Sequence, residues 1–297
     1  MPTRAPILQL VDHHHRPKVS IHPVFMYKKL LVYIVRHGET NENRMGIIQG
    51  HMDTQLNEAG RAQAKLTGKS LKHVNFVKAY SSDSSRAADT ARAIVAYHPD
   101  CELVLDPRIR ERNMGSLAGT KAPVRRPLPP GVESSESVGA RLLEFWNSVI
   151  IPLCSPSDIL LNDGGDANTN PEVDLLADSQ THSIDPQKNR TPAVLIVSHG
   201  ATISKLINQV FLRDHGYEVA CDMRRGIYNT SISILRMTST ATVQRPILDN
   251  DRSLVEESEQ ILISLSGELI AYASISHLVR KRDIVEENAD LLGQGSL

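Results

Sequence analysis

Apolar residues along this chain fall into two unbroken runs and several amphipathic stretches. Leu30-Leu31-Val32-Tyr33-Ile34-Val35 and Ala193-Val194-Leu195-Ile196-Val197 are short and apolar throughout. That is the pattern of strands buried on both faces of a parallel sheet. Residues 58–71 place Ala59, Ala62 and Leu66 on one side of a helix. Residues 74–80 read as a strand, and Ser84 or Ser85 is placed to cap a helix carrying Ala87, Ala91, Ile94 and Val95. Residues 102–105 read as a short edge strand. Residues 137–151 form a helix with Val138, Leu142, Phe145 and Val149 on its stripe. After the second run, Ile203, Leu206, Ile207, Val210 and Phe211 recur at helical spacing until Gly216. Residues 230–236 alternate Ile232 and Ile234 with Ser231 and Ser233, as an edge strand does. Strands and helices thus alternate, which predicts an α/β fold: a three-layer α/β/α sandwich around a mostly parallel central sheet.

The organisation expected from this pattern has four parts. Residues 1–29 form a flexible N-terminal arm, in which His13, His14 and His15 are too short a run for a metal site. Residues 30–244 form the folded domain. Within it, residues 152–192 turn rich in Ser, Thr, Asn, Asp and Pro and read as a disordered insertion. Residues 245–297 read as a C-terminal appendage.

Composition narrows the function classes. The net charge of -1 argues against a nucleic-acid partner. The sequence has no apolar stretch near the roughly 20 residues a membrane helix needs. Three cysteines are too few and odd in number for a disulfide framework, which points to a reducing, cytoplasmic setting. The arm is acid-poor but lacks a clear amphipathic stripe, so a mitochondrial presequence stays open.

Both apolar runs end in histidine followed by glycine, in Arg36-His37-Gly38-Glu39-Thr40 and in Ser198-His199-Gly200. Ligands of open α/β sheets bind beyond the carboxyl ends of the strands. The two histidines therefore meet there, although 162 positions separate them. A potential nucleophile beside a fixed positive charge suits a phosphoryl group, whose oxygens need several donors during transfer.

These residues resemble the signature of the histidine phosphatase superfamily, also called the phosphoglycerate mutase-like family. Its further motifs follow in order: Asn43; Gln49-Gly50 with Asp53, Leu56 and Gly60; Ser81-Ser82 with Arg86-Ala87 and Thr90-Ala91; Arg110-Glu111-Arg112 with Gly115 and Gly119; then His199-Gly200 and Asn229. The resemblance covers roughly residues 30–236. It implies a metal-independent, cofactor-free phosphomonoester hydrolase working through a phosphohistidine. His37 would be the nucleophile, and Glu111 the acid that protonates the leaving group and the base that activates water. Arg36, Asn43, Gln49, Gly50, Arg86, His199 and Gly200 would bind the phosphoryl group. Asp83, Ser84, Met114 and Ala118 depart from the family pattern, but none removes a catalytic group.

Within the family, mutases carry a substantial insertion after the acidic motif. Here a short segment with Pro123, Pro127, Pro129 and Pro130 follows Gly119, which favours water as acceptor. Lys121, Arg125 and Arg126 on that segment read as a solvated basic loop. The expected substrate is a small phosphate ester such as a sugar bisphosphate. A phosphoglycerate mutase is the alternative, and a regulatory or scaffold member of the fold a third. Oligomeric state is left open.

Overall fold

The computed structural model describes residues 24–121, 127–155, 191–244 and 260–278. Seven strands form one sheet: β1 (Val24–Arg36), β2 (Phe76–Ser81), β3 (Leu103–Leu105), β4 (Ala193–Ser198), β5 (Glu218–Val219), β6 (Ile232–Gln244) and β7 (Gln260–Ser274). Their order across the sheet is β3-β2-β4-β1-β6-β7-β5. The pairings β2/β3, β2/β4, β1/β4 and β5/β7 are parallel, whereas β1/β6 and β6/β7 are antiparallel.

Both faces of the central strands are covered, so the expected three layers form. Alternate residues of β4 point to opposite sides. Val194 and Ile196 join Val32 and Ile34 in one core, packed against helix α4 (Ser135–Phe145) and helix α6 (Gly200–Lys205). Helix α4 runs on through a π-helical stretch, Trp146–Ile150, into α5 (Ile151–Cys154). Helix α6 likewise continues as a π-helical stretch, Leu206–Asp214. Trp146 and Phe211 meet between these helices with ring centroids 4.5 Å apart. On the other face, Ala193, Leu195 and Val197 pack with Val35 against Leu71 of helix α2 (Glu58–Leu71) and Ala87, Ala91 and Ile94 of helix α3 (Ser85–Val95). Helix α1 (Asn41–Met45) is a single turn just beyond β1.

Three expectations change. The segment read as an edge strand is interior, because β6 lies between β1 and β7. Its serines are buried rather than solvated, and Ser233 Oγ accepts from the Ala273 amide at 3.0 Å. The C-terminal segment is not simply an appendage. Residues 260–274 form β7, which pairs with β6 from Ile232↔Ser274 to Gln244↔Gln260. Its Leu269 and Ala273 are fully buried. The boundary of the insertion also moves, since Pro152 and Cys154 belong to α5 and Cys154 is buried. The remainder, residues 156–190, lies outside the described residues, as do the arm before 24 and residues 279–297. The edge strand at 102–105 is β3, at the margin of the sheet as expected.

A chain ending at residue 244 should lose cooperative unfolding, because β6 would exchange a buried partner for an unpaired edge. Thermal unfolding followed by circular dichroism checks this. A truncated chain that melts like the full one would contradict it.

Candidate active site

The site is built by sheet register. Strands β1 and β4 are parallel neighbours with Arg36 opposite Ser198. The next residue on each is a histidine, and the His37 amide donates to the Ser198 carbonyl at 2.9 Å. The two imidazoles therefore lie side by side, with ring centroids 5.1 Å apart. Strand β2 adds the third wall. Its register places Ser81 opposite Val197, and the Ser82 hydroxyl then lies 2.8 Å from His199 Nε2.

His37 is fully buried, and its Nδ1 lies 2.7 Å from the Gly38 carbonyl oxygen. A carbonyl only accepts, so the proton sits on Nδ1 and the lone pair on Nε2. Nε2 has no hydrogen-bond partner among the described residues. Burial, and then the charges of Arg86 and Arg36, push the His37 pKa well below the ordinary histidine range; the Gly38 carbonyl acts weakly the other way. The ring is thus neutral at physiological pH, with a lone pair on Nε2. His199 is depressed in the same way, by burial first, then by Arg86, His37 and Arg36. With Ser82 against Nε2, its Nδ1 is the nitrogen without a partner among the described residues.

The backbone at His37 is held from three sides. Thr90 Oγ1 accepts from the Gly38 amide at 2.9 Å, and Asn229 Nδ2 donates to the His37 carbonyl at 3.0 Å. The Thr230 amide donates to the Arg36 carbonyl at 3.0 Å, with Thr230 at φ 57°. A left-handed β-branched residue is strained, and it persists here where its amide meets the end of β1. Gly60 lets α2 approach this loop, since a Cβ there would come within 2.0 Å of the Glu39 carbonyl oxygen.

Both arginines are fully buried. Arg36 donates to the Ile227 carbonyl at 2.7 Å. Arg86, from the first turn of α3, donates to the carbonyls of Met52 at 2.7 Å and Gly50 at 2.9 Å. The loop that wraps it is tied to the same helix by Asp53. Its carboxylate accepts from the Ser85 amide at 2.7 Å and the Ser85 hydroxyl at 2.8 Å. The Ser85 amide is the main cause that holds the Asp53 carboxyl below its usual range. Ser84 stands at the N-cap of α3, but its side chain makes no cap bond. Asp53 supplies that bond from across the loop, so the expected serine cap is replaced.

The remaining residues divide into those facing the pocket chemistry and those supporting it. The Thr54 hydroxyl bonds both Gln49 Oε1 and Arg86. Gly50 has φ +51°, and its observed part is the carbonyl that holds Arg86. Asn43 Oδ1 accepts from Thr40 and Asn229. Gly200 opens α6 directly after His199. Glu111 is 2% exposed, and its carboxylate accepts from the Arg112 amide at 2.8 Å, the Thr202 hydroxyl at 3.0 Å and the Ala201 amide at 3.1 Å. The segment carrying it is fixed by Arg141, which donates to the carbonyls of Arg108, Arg110 and Glu111 and pairs with Glu133 at 2.8 Å.

Sequence reading brought together His37, His199, Arg36, Arg86 and Glu111, but gave no role to Arg141 or Thr202. Glu133 lies outside the α4 periodicity, ahead of its Ser134 cap, so no helical spacing links it to Arg141. Asp83, which departs from the family pattern, forks Arg110 with two contacts of 2.5 Å. Lys121 is exposed, and Arg125 and Arg126 lie outside the described residues.

The chain is similar to known proteins over much of this unit. A family profile described as the histidine phosphatase superfamily (branch 1) matches residues 32–151. The chain is 33% identical over 188 residues to the fructose-2,6-bisphosphatase TIGAR B of Danio rerio, covering 57% of this chain and 70% of that protein. It is 34% identical over 128 residues to a probable phosphatase of Schizosaccharomyces pombe, covering 41% of this chain and 61% of that one. A probable phosphoglycerate mutase, GpmB of Erwinia tasmaniensis, is 30% identical over 212 residues, covering 69% of this chain and 83% of its own. Among solved structures, a native mycobacterial glucosyl-3-phosphoglycerate phosphatase superposes with a TM-score of 0.50 at 24% identity. That match covers 71% of this chain and 91% of the other, and it establishes the shared fold.

Nitrogen NMR of labelled protein should show His37 as the neutral Nδ1–H tautomer at pH 6, titrating only at lower pH. An imidazolium at neutral pH would contradict the site electrostatics.

Proposed function

The chain belongs to the histidine phosphatase superfamily, and on that premise we propose that it hydrolyses a phosphorylated sugar through a phosphohistidine, without a metal ion. The observation that carries this reading is the neutral His37, whose pKa is depressed by burial and then by two nearby buried guanidiniums, with Nε2 unpartnered among the described residues. The catalytic unit extends from β1 through β7.

In the first half-reaction the Nε2 lone pair attacks phosphorus, and the P–O bond to the leaving group breaks. Its electron pair stays on the leaving oxygen, which takes a proton from Glu111. Arg36, Arg86, His199 Nδ1–H and the Asn43 NH2 donate to the phosphoryl oxygens as charge moves onto them. Gln49 and Gly50 complete the phosphoryl-binding loop, in which the Gly50 carbonyl also accepts from Arg86 and the Thr54 hydroxyl bridges Arg86 and Gln49 Oε1. In the second half-reaction Glu111 takes a proton from water as the water oxygen bonds to phosphorus. The N–P electron pair then returns to His37.

Hydrolysis is preferred to isomerisation because Ser134, which caps α4, follows Gly119 by only 15 positions. That connection is too short to fold a helical cover over the phosphoenzyme. The free cysteines Cys101, Cys154 and Cys221 suit the reducing cytoplasm in which we place the protein. No helix among the described residues is long and apolar enough to cross a membrane.

His37→Ala should abolish turnover of phosphate esters while leaving the melting curve unchanged. Arg86→Ala should cost about 10²–10³ in rate, the scale of one lost transition-state donor. Activity in EDTA should match activity without it. With 3-phosphoglycerate and a priming bisphosphate, phosphate release should outrun formation of 2-phosphoglycerate. Dominant isomerisation would establish the mutase reading instead, and loss of activity in EDTA would overturn metal independence.

A further inference from the structure

Thr202 sits on the first turn of α6, is 1% exposed, and has a hydroxyl with two acceptors. Its Oγ1 lies 2.8 Å from the Arg110 carbonyl oxygen and 3.0 Å from Glu111 Oε1. A hydroxyl has one proton, so it donates to one of these at a time. Neither acceptor is free to drift. Arg141 Nη1 donates to the Arg110 carbonyl at 2.9 Å and Arg141 Nη2 to the Glu111 carbonyl at 3.2 Å. Glu133 holds that guanidinium in turn. The Glu111 carboxylate is further pinned at Oε1 by the Arg112 amide and at Oε2 by the Ala201 amide.

Two of these donors to Glu111 are backbone amides, which cannot change what they offer. Thr202 can. When Glu111 is a carboxylate, its charged oxygen is the stronger acceptor and draws the hydroxyl proton to Oε1. When Glu111 is protonated, Oε1 becomes a weaker acceptor, and the proton turns to the Arg110 carbonyl without any heavy atom moving. The Thr202 oxygen then presents a lone pair to the neutral acid.

We propose that Thr202 is a positioning residue that holds Glu111 in one place through both of its protonation states, by switching one hydroxyl proton between Glu111 and the Arg110 carbonyl. This rests on the acid and base roles given to Glu111 above. An enzyme whose carboxyl must give a proton in one half-reaction and take one in the next needs an anchor that tolerates both forms. The two backbone amides can only donate, whereas the Thr202 hydroxyl can donate to the carboxylate and accept from the neutral acid.

The test is pre-steady-state phosphoenzyme formation and decay in Thr202→Val, Thr202→Ser and Glu111→Gln, with an alkyl phosphate and with 4-nitrophenyl phosphate. Val keeps the shape and removes the hydroxyl; Ser keeps the hydroxyl. Thr202→Val should slow phosphoenzyme formation from the alkyl phosphate about tenfold, part of the 10²–10⁴ a general acid contributes. The aryl phosphate, whose leaving group needs little protonation, should lose much less in that step. KM should stay unchanged for both, and Thr202→Ser should restore wild-type rates. In the Glu111→Gln background, Thr202→Val should add nothing.

Wild-type rates in Thr202→Val, with Glu111→Gln impaired, would overturn the role of Thr202 alone. Equal losses in Val and Ser would assign the effect to packing of the methyl group and overturn it too. A silent Glu111→Gln would instead remove the role of Glu111 on which the inference rests. If Thr202→Val lowers the melting temperature, Thr202→Ala compared with Thr202→Ser carries the same contrast.

Discussion

The structure depends on keeping two guanidinium groups out of water at one end of a sheet. Arg36 and Arg86 are fully buried, and a buried charge is costly unless its donors are met. Here they meet carbonyl oxygens: Ile227 for Arg36, and Gly50 and Met52 for Arg86. Both guanidiniums lie close enough to His37 and His199 to lower the pKa of each. Burial is the larger cause that keeps both histidines neutral and the guanidinium charges come second, while the same charges suit a doubly charged phosphoryl group.

Much of the surrounding fold serves to place those carbonyls. The loop around Arg86 is closed onto α3 by Asp53, and the loop bearing Ile227 leads through Asn229 and the strained Thr230 to the end of β1. Strand β6 follows Thr230 directly, and β7 closes the hydrogen bonds of β6. The C-terminal strand thus supports the active site from two strands away, with no residue of its own in it. Sheet registers do the rest. Arg36 opposite Ser198 and Ser81 opposite Val197 bring His37, His199 and Ser82 together with no freedom to slide, because a one-residue slip would turn every core side chain to the wrong face.

The parts legible in the sequence were those carried by local pattern. Strands β1 and β4 are apolar at every position because both faces are buried, and each histidine follows at once. The amphipathic helices α3, α4 and α6 were equally plain. What was hidden depends on partners distant in the chain. Ser231 and Ser233 look like solvated edge residues, but they are covered once β7 pairs with β6. The segment 260–274 mixes serine with apolar residues and has no strong period, so its place in the sheet follows from pairing rather than from its own sequence. Thr202 and Arg141 act on backbone carbonyls, which leave no mark in a sequence. Asp53 caps a helix 32 positions away, where a serine at the cap itself was the natural reading.

The central claim is that Nε2 of His37 is the atom that takes the phosphoryl group, because Nδ1 is bound to the Gly38 carbonyl. Phosphorus NMR of the phosphoenzyme, trapped by rapid quenching into base, tests it directly, since the two ring nitrogens give distinct phosphohistidine signals. A single Nε2-phosphohistidine signal, absent in His37→Ala, is the predicted result. Phosphate on Nδ1, on His199 or on a hydroxyl would contradict the account.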